Sequence, residues 1–238
     1  MTLRPSGDSA LDVLWPAIDP VPGWLTRAQA DRLWQAVTEA GPSPTVVEIG
    51  SHHGRSTLVL ASARDDVAVT AIDPFVTARL FAGPAVQESL QHNLRRLGVD
   101  RRVVVLATTS RAARAHWSRP VDVLYIDGKH DYWTVSDDLK WAEHVRSGSP
   151  VLVHDAFSSI GVTLALLRHV LPGDSLRYEG RTGSLARFVV GPPERATRMA
   201  MLAELPWWAR NMLVKVLVRL RATRAASLLG HTGRYDPY

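Results

Sequence analysis

The sequence predicts an α/β chain, a doubly wound, mostly parallel seven-stranded sheet that ends in an antiparallel hairpin. Three observations carry this reading. Short apolar strands alternate with helical patterns from residue 45 to about residue 170, as they do when helices cover both faces of a parallel sheet. The first strand, Val46-Val47-Glu48-Ile49, runs through a glycine-bounded loop, Gly50-Ser51-His52-His53-Gly54, into a helical pattern. The last two strands are joined only by Gly180-Arg181-Thr182-Gly183. That linker is too short for a parallel crossover, so these strands pair antiparallel.

The elements follow in order. Residues 1–25, rich in proline, are expected to form an irregular arm. Thr26-Arg27-Ala28-Gln29 reads as a capping box, with Leu25 placed to act as a hydrophobic staple. The helix it opens should run to about residue 40, with Ala30, Leu33, Trp34 and Val37 on one face. Gly41-Pro42-Ser43-Pro44 stops it. Strands are expected near 45–49, 67–72, 102–106, 121–126, 150–154, 175–179 and 184–190, and helices near 54–63, 85–97, 110–116, 134–146 and 159–170. The chain thus divides into an arm and helix at 1–40, a sheet domain at 41–192 and a basic helical extension at 193–238.

Composition narrows the function classes. At 238 residues the chain can bury a sizeable single core. It has no cysteine, which removes disulfides, thiolate metal sites and cysteine nucleophiles. No apolar run reaches spanning length, and residues 1–19 lack the basic start and apolar centre of a signal peptide. A cytoplasmic protein is the expectation. From Leu205 to Tyr238, six basic residues (Arg210, Lys215, Arg219, Arg221, Arg224, Arg234) stand against one acid, Asp236. That tail carries the whole net charge of +5. The balanced remainder argues against a nucleic-acid surface.

Glu48 is the informative residue of the first loop. Glycine permits close backbone approach to a ligand, and a helix start offers unpaired N–H groups. A carboxylate beside them repels phosphates and suits a cationic cofactor carrying an amino group and a sulfonium. A dinucleotide site also needs glycine two positions after Gly50, where His52 stands. The second strand, Val67 to Ile72, ends in Asp73, at the spacing of an acid that grips a ribose diol. Both elements resemble the class I S-adenosylmethionine (SAM) methyltransferases. The resemblance implies that Glu48 and Gly50 line the methionine end and that Asp73 holds the ribose. It implies the same cofactor-lining role for Ser51, Gly54, Ser56 and Thr57.

The reacting groups are expected at the carboxyl ends of later strands. Asp127 ends the apolar strand Val121 to Ile126, His130 follows three residues on, and His154-Asp155 ends Val151-Leu152-Val153. Asp127 and Asp155 should meet, and two adjacent carboxylates need a cation or proton between them. Oxygen ligands suit Mg²⁺, which lowers the pKa of a bound hydroxyl, and His130 could then take the proton as general base.

The run Ile126-Asp127-Gly128-Lys129-His130-Asp131-Tyr132, with Val135, Asp138 and Leu139 and the later His154-Asp155, resembles the metal-dependent sugar O-methyltransferases of macrolide and aminocoumarin biosynthesis. The likeness spans about residues 45–190. It implies a Rossmann-like methyltransferase fold, Asp127 and Asp155 as Mg²⁺ ligands, His130 as base, Asp127 also beside the cofactor, and Ser110 near the adenine. Where that family often carries a second acid or amide, this chain has Ala156. Either His154 or water completes the coordination, or the metal is weak or absent.

The expected activity is therefore SAM-dependent methyl transfer to a hydroxyl of a sugar or glycosylated metabolite, a small molecule or an oligosaccharide. The rivals are a phenolic or other small-molecule hydroxyl, a dehydrogenase on the same fold, and a non-catalytic partner subunit. Trp133, Trp141 and the tail tryptophans Trp207 and Trp208 are candidates for stacking on sugar, and His144 is expected at the surface. The tail alternates Met212, Leu213, Val216, Leu217 and Leu220 with basic residues. It reads first as a helix packed on the domain or on a second subunit, leaving peripheral membrane contact as the alternative. A homo-oligomer is expected.

Overall fold

A computed structural model describes residues 10–76, 83–231 and 233. The first nine residues of the arm, and Arg234 and Asp236 of the tail, lie outside them. The sheet has seven strands in the order β3-β2-β1-β4-β5-β7-β6. These are β1 (Thr45–Ile49), β2 (Ala68–Ile72), β3 (Val103–Leu106), β4 (Val123–Ile126), β5 (Pro150–Val153), β6 (Leu176–Thr182) and β7 (Leu185–Val190). The first five run parallel, while β7 is antiparallel to both β5 and β6. This is the Rossmann-like methyltransferase fold expected from the sequence.

Helices cover both faces. They are α1 (Ala10–Ile18), α2 (Arg27–Thr38), α3 (Arg55–Ser62), α4 (Gly83–Arg96), α5 (Ser110–Arg114), α6 (Tyr132–Asp138), α7 (Ile160–Ala165), α8 (Arg195–Leu202), α9 (Leu205–Arg219) and α10 (Thr223–Leu228). One core layer packs Val46, Val69, Val123 and Tyr125 against α1 to α3. The other packs Val47, Ile49, Leu124 and Phe188 against α6 and α7.

The arm differs from expectation. Residues 10–18 are helical although Pro16 lies within them. Leu11 and Ile18 are buried and Leu14 and Trp15 partly so. Their i, i+3, i+4, i+7 spacing is a helical stripe, and its burial outweighs the lost backbone bond of proline. The helix expected at 134–146 is split. α6 ends at Asp138 and a 3₁₀ stretch, Leu139–His144, follows. α7 likewise passes into a π-helical turn, Leu166–Val170.

Register sets up the site. Ile72, Ile49, Ile126 and Val153 lie side by side on adjacent strands. The next residues, Asp73, Gly50, Asp127 and His154, therefore leave four neighbouring strand ends in one row. Gly50 (φ +92°) is needed there because a Cβ would stand 2.1 Å from the backbone oxygen of Asp127. The glycine thus serves strand-end packing, with no requirement for a ligand to explain it.

Candidate active site

A cavity of about 920 Å³ opens above that row, within the usual size for small-molecule sites. Its walls include the arm at Pro22 to Leu25, the β1–α3 loop, the β2 end at Asp73 to Val76, the start of α4, the start of α5 at Thr109 and Ser110, the β4 and β5 ends, and Thr134 and Asp138 of α6. Arg55 fixes the arm. Its buried guanidinium donates to the carbonyls of Val21 and Gly23 and pairs with Asp19. Trp24, 55% exposed, is thereby held on the cavity wall with its ring 6.1 Å from that of His52. The arm's part in the site was not expected.

Of the residues expected around the cofactor, Gly50, Ser51, Ser56, Asp73, Ser110 and Asp127 line the cavity. Glu48, Gly54 and Thr57 are not among the lining residues. Glu48 is fully buried on the α3 side of β1, where its carboxylate accepts hydrogen bonds from the Ser56 and Thr57 hydroxyls. Burial pushes its pKa up to about 7, against the pull of those hydroxyls. It therefore locks the start of α3 from behind the wall. Gly54 caps α3 with φ +91°, and a Cβ there would reach Leu90.

Asp73 accepts backbone N–H bonds from His52 (2.9 Å) and Phe75 (2.8 Å), which orient it on the cavity wall. At the far end Ser110 donates to Asp138, a buried carboxylate whose Oδ2 has no partner among the described residues. Burial pushes the Asp138 pKa up to about 6. His52 Nδ1 is likewise buried and unpartnered. These lining groups offer hydrogen-bonding capacity that the protein itself leaves unused.

The β4 and β5 ends bring together the four residues singled out in the sequence. His130 Nδ1 stands 3.1 Å from Asp155 Oδ2, and its Nε2 is 3.7 Å from Asp127 Oδ1. His154 Nδ1 is 3.4 Å from Asp127 Oδ1 and 3.7 Å from Asp155 Oδ1. The histidine nitrogens thus face the two carboxylates. Burial works against a charged His154, but Asp127 and Asp155 more than offset it and raise its pKa to about 9. Burial opposes a charged His130 too, and the same carboxylates still carry its pKa above the ordinary value. Asp155 moves the other way. Burial would raise it, yet His154 and His130 hold it well below the usual carboxylate range.

Outer contacts fix these groups. Tyr125 Oη donates to Asp127 Oδ2 at 2.9 Å, and Ser158 Oγ donates to Asp155 Oδ1 at 2.9 Å. His154 Nε2 lies 3.4 Å from Gln29 Oε1. That same amide oxygen accepts the Thr26 N–H in the capping box. The His130 loop is capped by Asp131, which accepts from the Trp133 and Thr134 N–H groups. Gly161 at the start of α7 lets that loop settle, since a Cβ would sit 2.2 Å from the His130 carbonyl oxygen.

Asp155 and Phe157 both have left-handed backbones, φ +55° and +57°, unfavourable for residues with a Cβ. The tail holds this loop. From α9, Asn211 Nδ2 donates to the Phe157 carbonyl (2.9 Å) and Lys215 Nζ to that of Ser158 (2.6 Å). No signal in the sequence marked either residue. The expected sugar-stacking tryptophans separate. Trp141 is fully buried core, and Trp207 and Trp208 pack against the core, whereas Trp133 is 80% exposed. His144 is half-buried against Trp141.

The expected Mg²⁺ site lacks a matching arrangement. Among the described residues no group of three or more His, Asp or Glu side chains is placed to hold a metal ion. Mg²⁺ asks for near-octahedral oxygen ligands. Here the Asp127 and Asp155 oxygens already face Tyr125, Ser158 and the two imidazoles.

Residues 47–156 match the family described as "Methyltransferase domain". Solved structures share the fold. An O-methyltransferase from Bacillus cereus in complex with SAH is 20% identical, with TM-score 0.56 over 79% of this chain and 93% of that one. Cofactor-bound Rv0187 from MTB is 22% identical, with TM-score 0.58 over 77% and 90%. The O-methyltransferase TomG from Streptomyces achromogenes, involved in tomaymycin synthesis and in complex with SAM, is 20% identical, with TM-score 0.52 over 78% and 91%. The match over residues 47–156 and the shared fold make this chain similar to SAM-dependent methyltransferases.

Proposed function

We propose that the protein transfers a methyl group from SAM to a hydroxyl of a sugar or glycosylated metabolite, with His130 as general base. The observation that carries this reading is the contact of His130 with Asp155 on the wall of the cavity that Asp73 also lines. SAM, when bound, supplies an electrophilic methyl group on a positive sulfur. Asp73 would hold the ribose hydroxyls, and Ser110 and Asp138 the adenine end.

The chain's residues supply the rest. Asp155 accepts a hydrogen bond from the His130 Nδ1–H and fixes that tautomer, which leaves the Nε2 lone pair for the acceptor hydroxyl. His130 takes the hydroxyl proton as the oxygen attacks, a contribution of about 10²–10⁴-fold. Asp155, held anionic by His154, stabilises the resulting imidazolium. The carboxylates of Asp127 and Asp155 give the cavity wall the negative charge that favours a sulfonium. These carboxylates would share the charge role expected of Glu48.

The sugar preference rests on the resemblance of residues 126–139 and on two exposed aromatic faces, Trp24 at the cavity and Trp133 beside Tyr132. A methyl-transfer screen with labelled SAM against monosaccharides, glycosides and phenols tests the reading. Label on a sugar hydroxyl supports it. Label on phenols alone moves the acceptor class, and no transfer to any hydroxyl contradicts it.

A further inference from the structure

We propose that the outer face of α9 docks the protein on an anionic membrane surface. The inner face of the helix is committed to the domain through Asn211, Val214 and Lys215. The opposite face carries Pro206, Ala209, Leu213, Val216 and Leu220, all exposed. Their spacing of three or four residues makes a continuous apolar stripe. Leu213 is 49% exposed, Val216 53% and Leu220 70%, and Leu228 on α10 is 90% exposed. An uninterrupted stripe of this kind marks an interaction surface.

Charge selects the occupant. Arg219, Arg221 and Arg224 are exposed at the end of the stripe. None of the three makes an ion pair or side-chain hydrogen bond among the described residues. A second copy related by a twofold axis would bring two sets of like charges toward one face, whereas anionic headgroups complement them. No helix among the described residues is long and apolar enough to cross a membrane. The helix therefore lies in the interface plane, with its apolar face in the headgroup region and its arginines at the phosphates. Since the inner face of α9 holds the loop of Asp155, a bilayer on the outer face lies one helix away from that loop.

Co-sedimentation of the full chain with vesicles tests this. One set is pure phosphatidylcholine, and the other contains one-third phosphatidylglycerol. Binding to the anionic vesicles should exceed binding to the neutral ones by at least about tenfold. It should fall steeply between 50 and 500 mM salt, as surface charge is screened. Leu213→Glu with Leu220→Glu should abolish it, as should Arg219→Glu with Arg224→Glu. Both pairs are exposed, and an unchanged melting temperature and SAM affinity will show that the variants are folded. Absent binding, or equal binding to both vesicle types, overturns the proposal. So does a wild-type dimer in light scattering that Leu213→Glu converts to monomer, because a second copy would then cover the stripe.

Discussion

His130 Nδ1 and Asp155 Oδ2 stand 3.1 Å apart, linking the loop after β4 to the end of β5. The pair forms an oriented base only because two further elements hold its partners. α7 packs under the His130 loop at Gly161, and α9 clamps the Asp155 loop through Asn211 and Lys215.

Replacing His130 removes the base and leaves the wall around Asp73 in place. His130→Ala should lower kcat by about 10²–10⁴-fold, with SAM affinity in calorimetry changed less than about twofold. Asp155→Asn should lower kcat as well, because an amide can present the wrong hydrogen-bonding group to Nδ1. Retention of full turnover by His130→Ala would remove the base assignment.

The pH profile follows from the same cluster. His130 acts only when neutral, and its pKa lies above the ordinary histidine value. Activity should therefore rise with pH through an inflection above about 6.5. It should fall again near pH 9, where His154 loses the proton that balances the carboxylates. These are macroscopic constants of a coupled cluster. In His154→Gln the falling limb should disappear from the kcat profile.

Stability carries a matching signature. The folded pKa of His154 is about 9, against an ordinary histidine value of 6.5. Its contribution is complete below pH 6.5 and is lost as pH rises through 9. Glu48, raised to about 7 by burial, already loses its contribution between about 4.5 and 7. Between pH 7 and 9 the fall therefore belongs to His154 together with His130, whose pKa is also raised, with His154 contributing on the order of 2–3 kcal/mol. That corresponds to about 5 to 10 °C in melting temperature. Thermal melts of His154→Gln should be flatter across that window, and a slope equal to wild type would refute the assignment.

Much of this was legible locally. The Thr26–Gln29 capping box and the strand runs lie within a few residues of one another, and all seven strands form close to their expected positions. Asp127, His130, His154 and Asp155 could be placed together because open parallel sheets bind at their carboxyl ends. What failed was long-range or a matter of which face. Glu48 shares a strand face with Val46, which packs on the α3 side, and the two-residue period of a strand already implies this. Gln29 reaches His154 across 125 positions, and nothing in the amide's own neighbourhood announces that second contact. Pro16 hid a helix whose apolar stripe was readable.

The hold of α9 on the Asp155 loop gives a further expectation. Asn211→Ala leaves the buried Phe157 carbonyl without its side-chain donor, a loss of about 1–3 kcal/mol. The melting temperature should fall by about 2–10 °C. Because Asp155 and Phe157 depend on that clamp for their left-handed backbones, kcat should fall more than SAM affinity. A variant with lowered stability but wild-type kcat well below its melting temperature would reduce Asn211 to a packing role.

Calorimetric titration with SAM and with NAD most directly tests the claim that the row of strand ends from Asp73 to His154 holds a sulfonium cofactor. The account predicts one-to-one binding of SAM, weakened at least about tenfold in Asp73→Ala by loss of the charged hydrogen bonds to ribose, and no heat with NAD. Binding of NAD without binding of SAM would contradict it.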